Sequence, residues 1–145
     1  MTGKVYVNRT LNLKRIRYIG FDMDHTLVRY NSENFERLSP EMELVIFRLV
    51  QECLTNIHRH SGSKTALIRV VRQADRIYVE IQDHGRGMSQ ERLAEVQAQG
   101  TGVGIRGMRE RVRQVHGELT IESNGLGTRI FATLPAKTSA SKEQG

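Results

Sequence analysis

Hydrophobic positions along the chain first alternate with polar ones, then recur every three to four residues, then alternate again. The stretches "KVYVNRT" and "RIRYIGFDM" have the alternating or continuous apolar pattern of strands. "TLVRYNSENFERL" then dissolves into polar turn residues, so the first 38 residues read as extended segments and loops. In "SPEMELVIFRLVQECLTNIHRH" the period becomes helical, with Val45, Ile46, Leu49, Val50, Cys53, Leu54 and Ile57 on one stripe. Ser39 suits the N-cap, Pro40 the first helical position, and Glu41 and Glu43 the positive end of the dipole; Gly62 ends the helix.

Two strands follow, "TALIRVVR" and "RIYVEIQD", around the turn "QAD". Ser89 caps a short helix over "QERLAEVQAQ", which has few apolar residues and is expected to be exposed or mobile. "IRGMRERVRQVH" carries the stripe Ile105, Met108, Val112 and Val115, and Gly117 is a natural C-cap. "ELTIES", "NGLG" and "TRIFATLP" form a closing hairpin, and from Ala136 onward the chain reads as a disordered tail. This order predicts a two-layer α/β sandwich, with the helices on one face of a mixed, largely antiparallel sheet.

Composition narrows the class without choosing a function. A length of 145 residues fits one domain, and 38% hydrophobic with 26% charged residues is ordinary for a globular chain. No apolar run approaches the roughly 20 residues of a membrane span, and no secretory signal is visible, so a cytoplasmic setting is expected. The single Cys53 excludes an intramolecular disulfide and a cysteine-based zinc cluster. A formal charge of +6 favours anionic partners. The basic residues are dispersed, however, and four Tyr, four Phe and no Trp offer little for stacking, which argues against nucleic acid.

Three places could carry chemistry. Glu52 and Asn56 lie four apart on the polar side of the first helix, with His60 continuing the row. A carboxylate and a carboxamide so placed suit hydrated Mg²⁺, although a plain solvated helix face has the same pattern. In "DHGRGM", Asp83 ends a strand beside Gly85 and Gly87, where it could accept from an exocyclic amine such as that of adenine, or simply stand in a turn. In "GTGVGIRG", Gly100, Gly102 and Gly104 precede a helix, an arrangement that gathers backbone N–H groups around phosphate. Gly102, Gly104 and Gly107 also satisfy G-x-G-x-x-G, with Glu122 about twenty residues on. A dinucleotide fold needs a strand directly before the first glycine, and "ERLAEVQAQ" is polar and helix-favouring.

Together and in order, these pieces resemble the ATP-binding domain of the GHKL superfamily, most closely that of sensor histidine kinases paired with LuxR-type response regulators. "QECLTNIHRHSGS" resembles the N box, "DHGRGM" the first glycine box, "GTGVGIRGMRERV" the second and "GLGTRI" the last, over about residues 39–135. The resemblance implies a Bergerat fold binding ATP and Mg²⁺. By position, it implies that Glu52 polarises the attacking group, that Asn56 ligates Mg²⁺ and that Arg59 and His60 lie near the phosphates. Asp83 would meet the adenine amine, Gly85, Gly87 and Met88 would shape the base pocket, and Thr128 would back it. Gly100, Thr101, Gly102, Val103, Gly104 and Ile105 would contact the nucleotide, with Gly102 and Gly104 giving the short lid between Met88 and Gly100 its freedom and its phosphate contacts. The family's dimerisation and phosphoacceptor helices have no counterpart here, since His25, His58, His60, His84 and His116 all lie in other contexts. The expected activity is therefore phosphoryl transfer only to a histidine in trans, with a phosphoacceptor domain and a response regulator as partners.

The first 38 residues, with "GFDMDHTL", resemble instead the N-terminus of cytosolic 5′-nucleotidases of the haloacid dehalogenase superfamily. There the positions matching Asp22 and Asp24 act as nucleophile and general acid/base. The later strands and lysine that such an enzyme requires are missing, so the expectation is a junction of two unrelated sequences near Leu38. In it, "VYVNRT" and "YIGFDM" would complete the kinase sheet and bury Ile19 and Phe21. Phosphohydrolysis through Asp22 remains one alternative; a non-catalytic nucleotide-binding module, as in an engineered chimera, is another.

Overall fold

The computed structural model describes residues 27–31, 38–99 and 102–136. The expected strands over residues 4–24, with Ile19, Phe21, Asp22 and Asp24, lie outside them, as do Gly100, Thr101 and residues 137–145.

The elements run β1 (Leu27–Asn31), α1 (Pro40–Asn56), a π-helical turn (Ile57–Ser61), β2 (Thr65–Gln73), β3 (Arg76–Asp83), α2 (Gln90–Gln99), α3 (Val103–Gln114), β4 (Glu118–Asn124) and β5 (Gly127–Pro135). The strands form a single sheet in the order β1-β2-β3-β5-β4. β2, β3, β5 and β4 pair antiparallel, with Ile68 opposite Ile81, Ile81 opposite Ile130 and Ile130 opposite Ile121. One row of apolar side chains thus crosses four strands.

That alternation fixes which face is covered. Ala66, Ile68 and Val70 of β2, Ile77, Val79 and Ile81 of β3, and Ile130, Ala132 and Leu134 of β5 are all buried. They form one cluster with Met42, Ile46, Leu49, Cys53 and Leu54 of α1 and with Met108 and Val112 of α3. Each fully buried aliphatic side chain contributes about 1.5–3 kcal/mol relative to exposure. The opposite face carries Tyr78 stacked on Phe131 at 6.1 Å and the buried Glu80, whose carboxylate accepts from Arg129 Nε at 2.7 Å and pairs with Arg69 at 3.6 Å. The two-layer sandwich with helices on one face is therefore as expected.

α1 begins as its sequence demands. The Met42 N–H donates to Ser39 Oγ at 3.3 Å and Pro40 occupies the first turn. Gly62 closes the π turn in the left-handed region at φ 70°.

Four readings need correction. "LVRYN" is a strand and not loop: Leu27–Asn31 pair parallel with Thr65–Arg69. The exposed backbone edge of β2 requires hydrogen-bonding partners, and this tertiary demand is invisible in local composition. α2 is docked rather than exposed, because Val96 is 0% exposed and Gln97 Nε2 donates to the Ile121 carbonyl at 3.3 Å on the edge strand. The left-handed residue after α3 is His116, at φ 59°, and not Gly117. Gly117 is needed for packing instead, since a Cβ there would press on Leu134, Thr133 and Val112. Ala136 belongs to the fold: it is buried, and its N–H donates to the Asp75 carbonyl at 2.8 Å.

Met42→Ala is expected to lower unfolding free energy by about 2–5 kcal/mol, through the cavity left in the core. Leu44→Ala, two residues on and on the outer side of the helix with its side chain 56% exposed, should stay within about 0.5 kcal/mol. Urea unfolding followed by circular dichroism measures both.

Candidate functional site

A cavity of about 590 Å³ opens where α1, the end of β3, α2 and the start of α3 meet. Small-molecule sites commonly have volumes of roughly 300–1,000 Å³. From α1 and its π turn it receives Glu52, Asn56, Arg59 and His60, from the strand ends Asp83 and Thr128, and from the loop after β3 Gly87 and Met88. Gly102, Val103, Gly104 and Ile105 line it from the start of α3. Of the positions expected from the sequence, Gly85 does not line the cavity, and Gly100 and Thr101 are outside the described residues.

The local geometry explains the convergence. The π turn at the end of α1 changes the winding of the helix, so Asn56, Arg59, His60 and Ser61 all line the cavity. Two serines then bind this turn to the tip of β3. The Arg86 N–H donates to the Ser61 carbonyl at 2.9 Å, and the His84 N–H donates to Ser63 Oγ at 3.2 Å. A Cβ at Gly85 would overlap the Ser61 carbonyl, so only glycine permits this approach.

Asp83 is 4% exposed and accepts from the Gly85 N–H at 2.8 Å. A carboxylate can accept further bonds, which leaves capacity for a donor inside the cavity. On the adjacent wall, Ser123 Oγ accepts from the Met88 N–H at 2.8 Å and lies 2.8 Å from Thr128 Oγ1. Sequence reasoning missed Ser61, Ser63 and Ser123, whose work is fixed by contacts between elements distant in the chain.

The start of α3 supplies the opposite pole. Gly102 is its N-cap at φ 107°, and the free N–H groups of the first turn give that end partial positive charge. Gly104 lies so close to α1 that a Cβ there would overlap the Glu52 carboxylate. Ile81, Ile130, Val96 and Ile57 form apolar parts of the wall. The cavity lining thus combines the Asp83 carboxylate, apolar side chains and the partly positive start of α3, a set that suits a flat polar base joined to an anionic chain.

Cys53 also lines the cavity, and its thiol donates toward Met108 Sδ at 3.5 Å. Burial pushes the thiol pKa well above its ordinary value, and the neighbouring Glu52 carboxylate adds to the shift. A buried, protonated thiol of this kind acts as a small core residue rather than a nucleophile.

The helix α2 before the glycines excludes the dinucleotide motif raised by Gly102, Gly104 and Gly107, which requires a strand there. An ATP-binding α/β sandwich of the GHKL kind accounts for the fold and cavity together. The family of histidine kinase-, DNA gyrase B- and HSP90-like ATPases matches residues 42–138, and the chain belongs to this family.

The signal transduction histidine-protein kinase/phosphatase DegS of Bacillus subtilis is 36% identical over 101 residues, covering 69% of this chain and 26% of DegS. The sensor histidine kinase YhcY of the same organism is 34% identical over 102 residues, covering 70% of this chain and 26% of YhcY. The chain thus spans about a quarter of the length of these relatives. The histidine kinase domain of the Erythrobacter litoralis EL346 blue-light activated histidine kinase has the same fold, with a TM-score of 0.62 at 22% identity over 77% of this chain and 52% of that one. A shorter stretch, residues 5–55, is similar to the 5′ nucleotidase family and overlaps the ATPase match from residue 42. Among the described residues, no helix is long and apolar enough to cross a membrane.

Gly87→Ala is expected to destabilise by about 1–3 kcal/mol, because φ is +68° and the new Cβ meets the Asn124 carbonyl in rigid backbone. Gly104→Ala should cost less than about 1 kcal/mol, because the Glu52 tip can swing away and alanine favours the helix. Chemical denaturation of both variants checks the order.

Cys53 predicts a pH dependence. Above the ordinary thiol value of 9.0 the unfolded chain releases a proton that the folded chain keeps, so stability falls as pH rises. The stability advantage of wild type over Cys53→Ala should shrink between about pH 8 and about pH 10.5, as measured by urea unfolding.

Proposed function

We propose that this chain is the ATP·Mg²⁺-binding catalytic domain of a sensor histidine kinase, of the class that works with LuxR-type response regulators. It would transfer the terminal phosphoryl group to a histidine supplied in trans. The observation that carries the reading is the single cavity uniting the polar ridge of α1, the acidic tip of β3 and the glycine-rich start of α3.

Asp83 accepts a hydrogen bond from the exocyclic amine of adenine, while Thr128, oriented by Ser123, and the Gly87–Met88 backbone flank the base. The phosphates extend toward the start of α3, Arg59 and His60, where helix-end and side-chain charge favour them. Glu52 polarises the attacking imidazole and holds its proton. The bond between the terminal phosphorus and the bridging oxygen breaks as the phosphorus–nitrogen bond forms, and ADP leaves.

The donor set fits Mg²⁺. Among the described residues no group of three or more His, Cys, Asp or Glu forms a metal cage, whereas Asn56 and Glu52 offer oxygens beside the phosphate region. Mg²⁺ is commonly held by one or two protein oxygens together with phosphates and water. Asn56 would hold it, and when bound it neutralises charge on the phosphates.

Among the described residues, His58 and His60 lie in the π turn, His84 follows β3 and His116 follows α3. The similarity of residues 5–55 to 5′ nucleotidases supports a junction of two sequences. We place the join near Leu38, since α1 belongs by its packing to the ATPase core. The same similarity favours a second reading, phosphomonoester hydrolysis through Asp22.

Calorimetric titration separates the readings. With Mg²⁺ and a non-hydrolysable ATP analogue, wild type and Asp22→Ala should bind alike, and Asp83→Asn should bind at least about tenfold more weakly. Chelation of Mg²⁺ should weaken binding further. Undiminished binding by Asp83→Asn would defeat the adenine assignment. Phosphatase turnover abolished by Asp22→Ala would favour the second reading.

A further inference from the structure

We propose that Arg92 is a phosphate anchor of the nucleotide site, held at its margin by an exchangeable contact to Glu95. This rests on the nucleotide reading above and adds a residue outside every motif that suggested it.

Arg92 stands in the first turn of α2, where its N–H donates to Ser89 Oγ at 3.2 Å. Its side chain lines the cavity, and a Cβ at Gly102 would lie 3.9 Å from Arg92 Nη2. Gly102 is the N-cap of the twelve-residue α3. A guanidinium therefore stands beside the helix end where an anion is already favoured. Its planar fork suits phosphate oxygens, with two parallel N–H donors where a lysine offers a point charge.

The present partner of Arg92 is weak. Nη1 meets Glu95 Oε2 at 3.2 Å, one turn along α2, and the two side chains are 50% and 59% exposed. Exposed pairs at this spacing contribute little because water and salt screen them. A phosphate chain carries several negative charges and lies against the positive end of α3, so it competes well for the guanidinium. Arg59 and His60 line the cavity from the π turn. With Arg92 the phosphates gain a cation from α2, an element separate from the motif helix, and the contact ties α2 to the nucleotide. Glu95 lowers affinity while keeping the guanidinium ordered near the entrance.

The test is calorimetric titration of the full chain, with Mg²⁺, by adenosine, ADP and a non-hydrolysable ATP analogue. Arg92→Ala should weaken the triphosphate about tenfold, the diphosphate less and adenosine not at all. Glu95→Gln should tighten the triphosphate about two- to threefold and leave adenosine unchanged. Equal triphosphate binding by wild type and Arg92→Ala would overturn the proposal while leaving the nucleotide site standing. An equal loss for adenosine and triphosphate would also overturn it, by showing that Arg92 only supports the fold. Failure of wild type to bind either adenosine or triphosphate would overturn the nucleotide reading itself, and the role of Arg92 with it.

Discussion

The packing of α1 onto one face of the sheet is the contact on which the rest of the molecule depends. Met42, Ile46, Leu49 and Cys53 are buried against β2, β3 and β5, so the helix cannot rotate without exposing them. At 3.6 residues per turn, burying that stripe leaves Glu52 and Asn56 at the side of the helix, beside the sheet's open end. Core packing and site placement are thus one constraint. A hydrophobic stripe sets the angle of the helix, and the angle aims the polar ridge.

Close backbone approach completes the enclosure. Gly85 against Ser61, Gly87 against Asn124 and Gly127 against Asp83 each bring two chain segments nearer than any Cβ would permit. Ser63 and Ser123 then bridge the same seams with hydrogen bonds to the backbone of His84 and Met88. These contacts lie at the ends of strands, where ladder pairing stops and backbone groups need other partners. Satisfying them shapes the cavity wall, and the Asp83 carboxylate is oriented by its bond to the Gly85 N–H as part of the same corner.

The face of the sheet opposite the helices is built differently. Glu80 is buried beneath two arginines, and Arg129 also lies 5.9 Å over the Phe131 ring and reaches Glu122 at 3.6 Å. A buried carboxylate requires such partners, because leaving it unpaired is costly. Among the described residues no helix packs on this face, where long side chains cover aromatic rings while keeping their charge in water.

Much of this was legible in the sequence because it is local or periodic. The N-cap at Ser39, the stripes of α1 and α3, the two hairpins and the glycines at strand and helix ends follow from short-range rules that hold wherever such segments pack. The resemblance of four ordered motifs to the GHKL ATP-binding domain implied one common site, and most of the residues it named line one cavity. Tertiary structure alone decided the rest. Leu27–Asn31 became a strand because the edge of β2 needed partners, and α2 docked through Val96 and one bond to an edge carbonyl despite a polar composition. The serine bridges and the approach of Arg92 to Gly102 likewise join positions far apart in the chain, and no residue carries information about a distant neighbour until the sheet sets the distance.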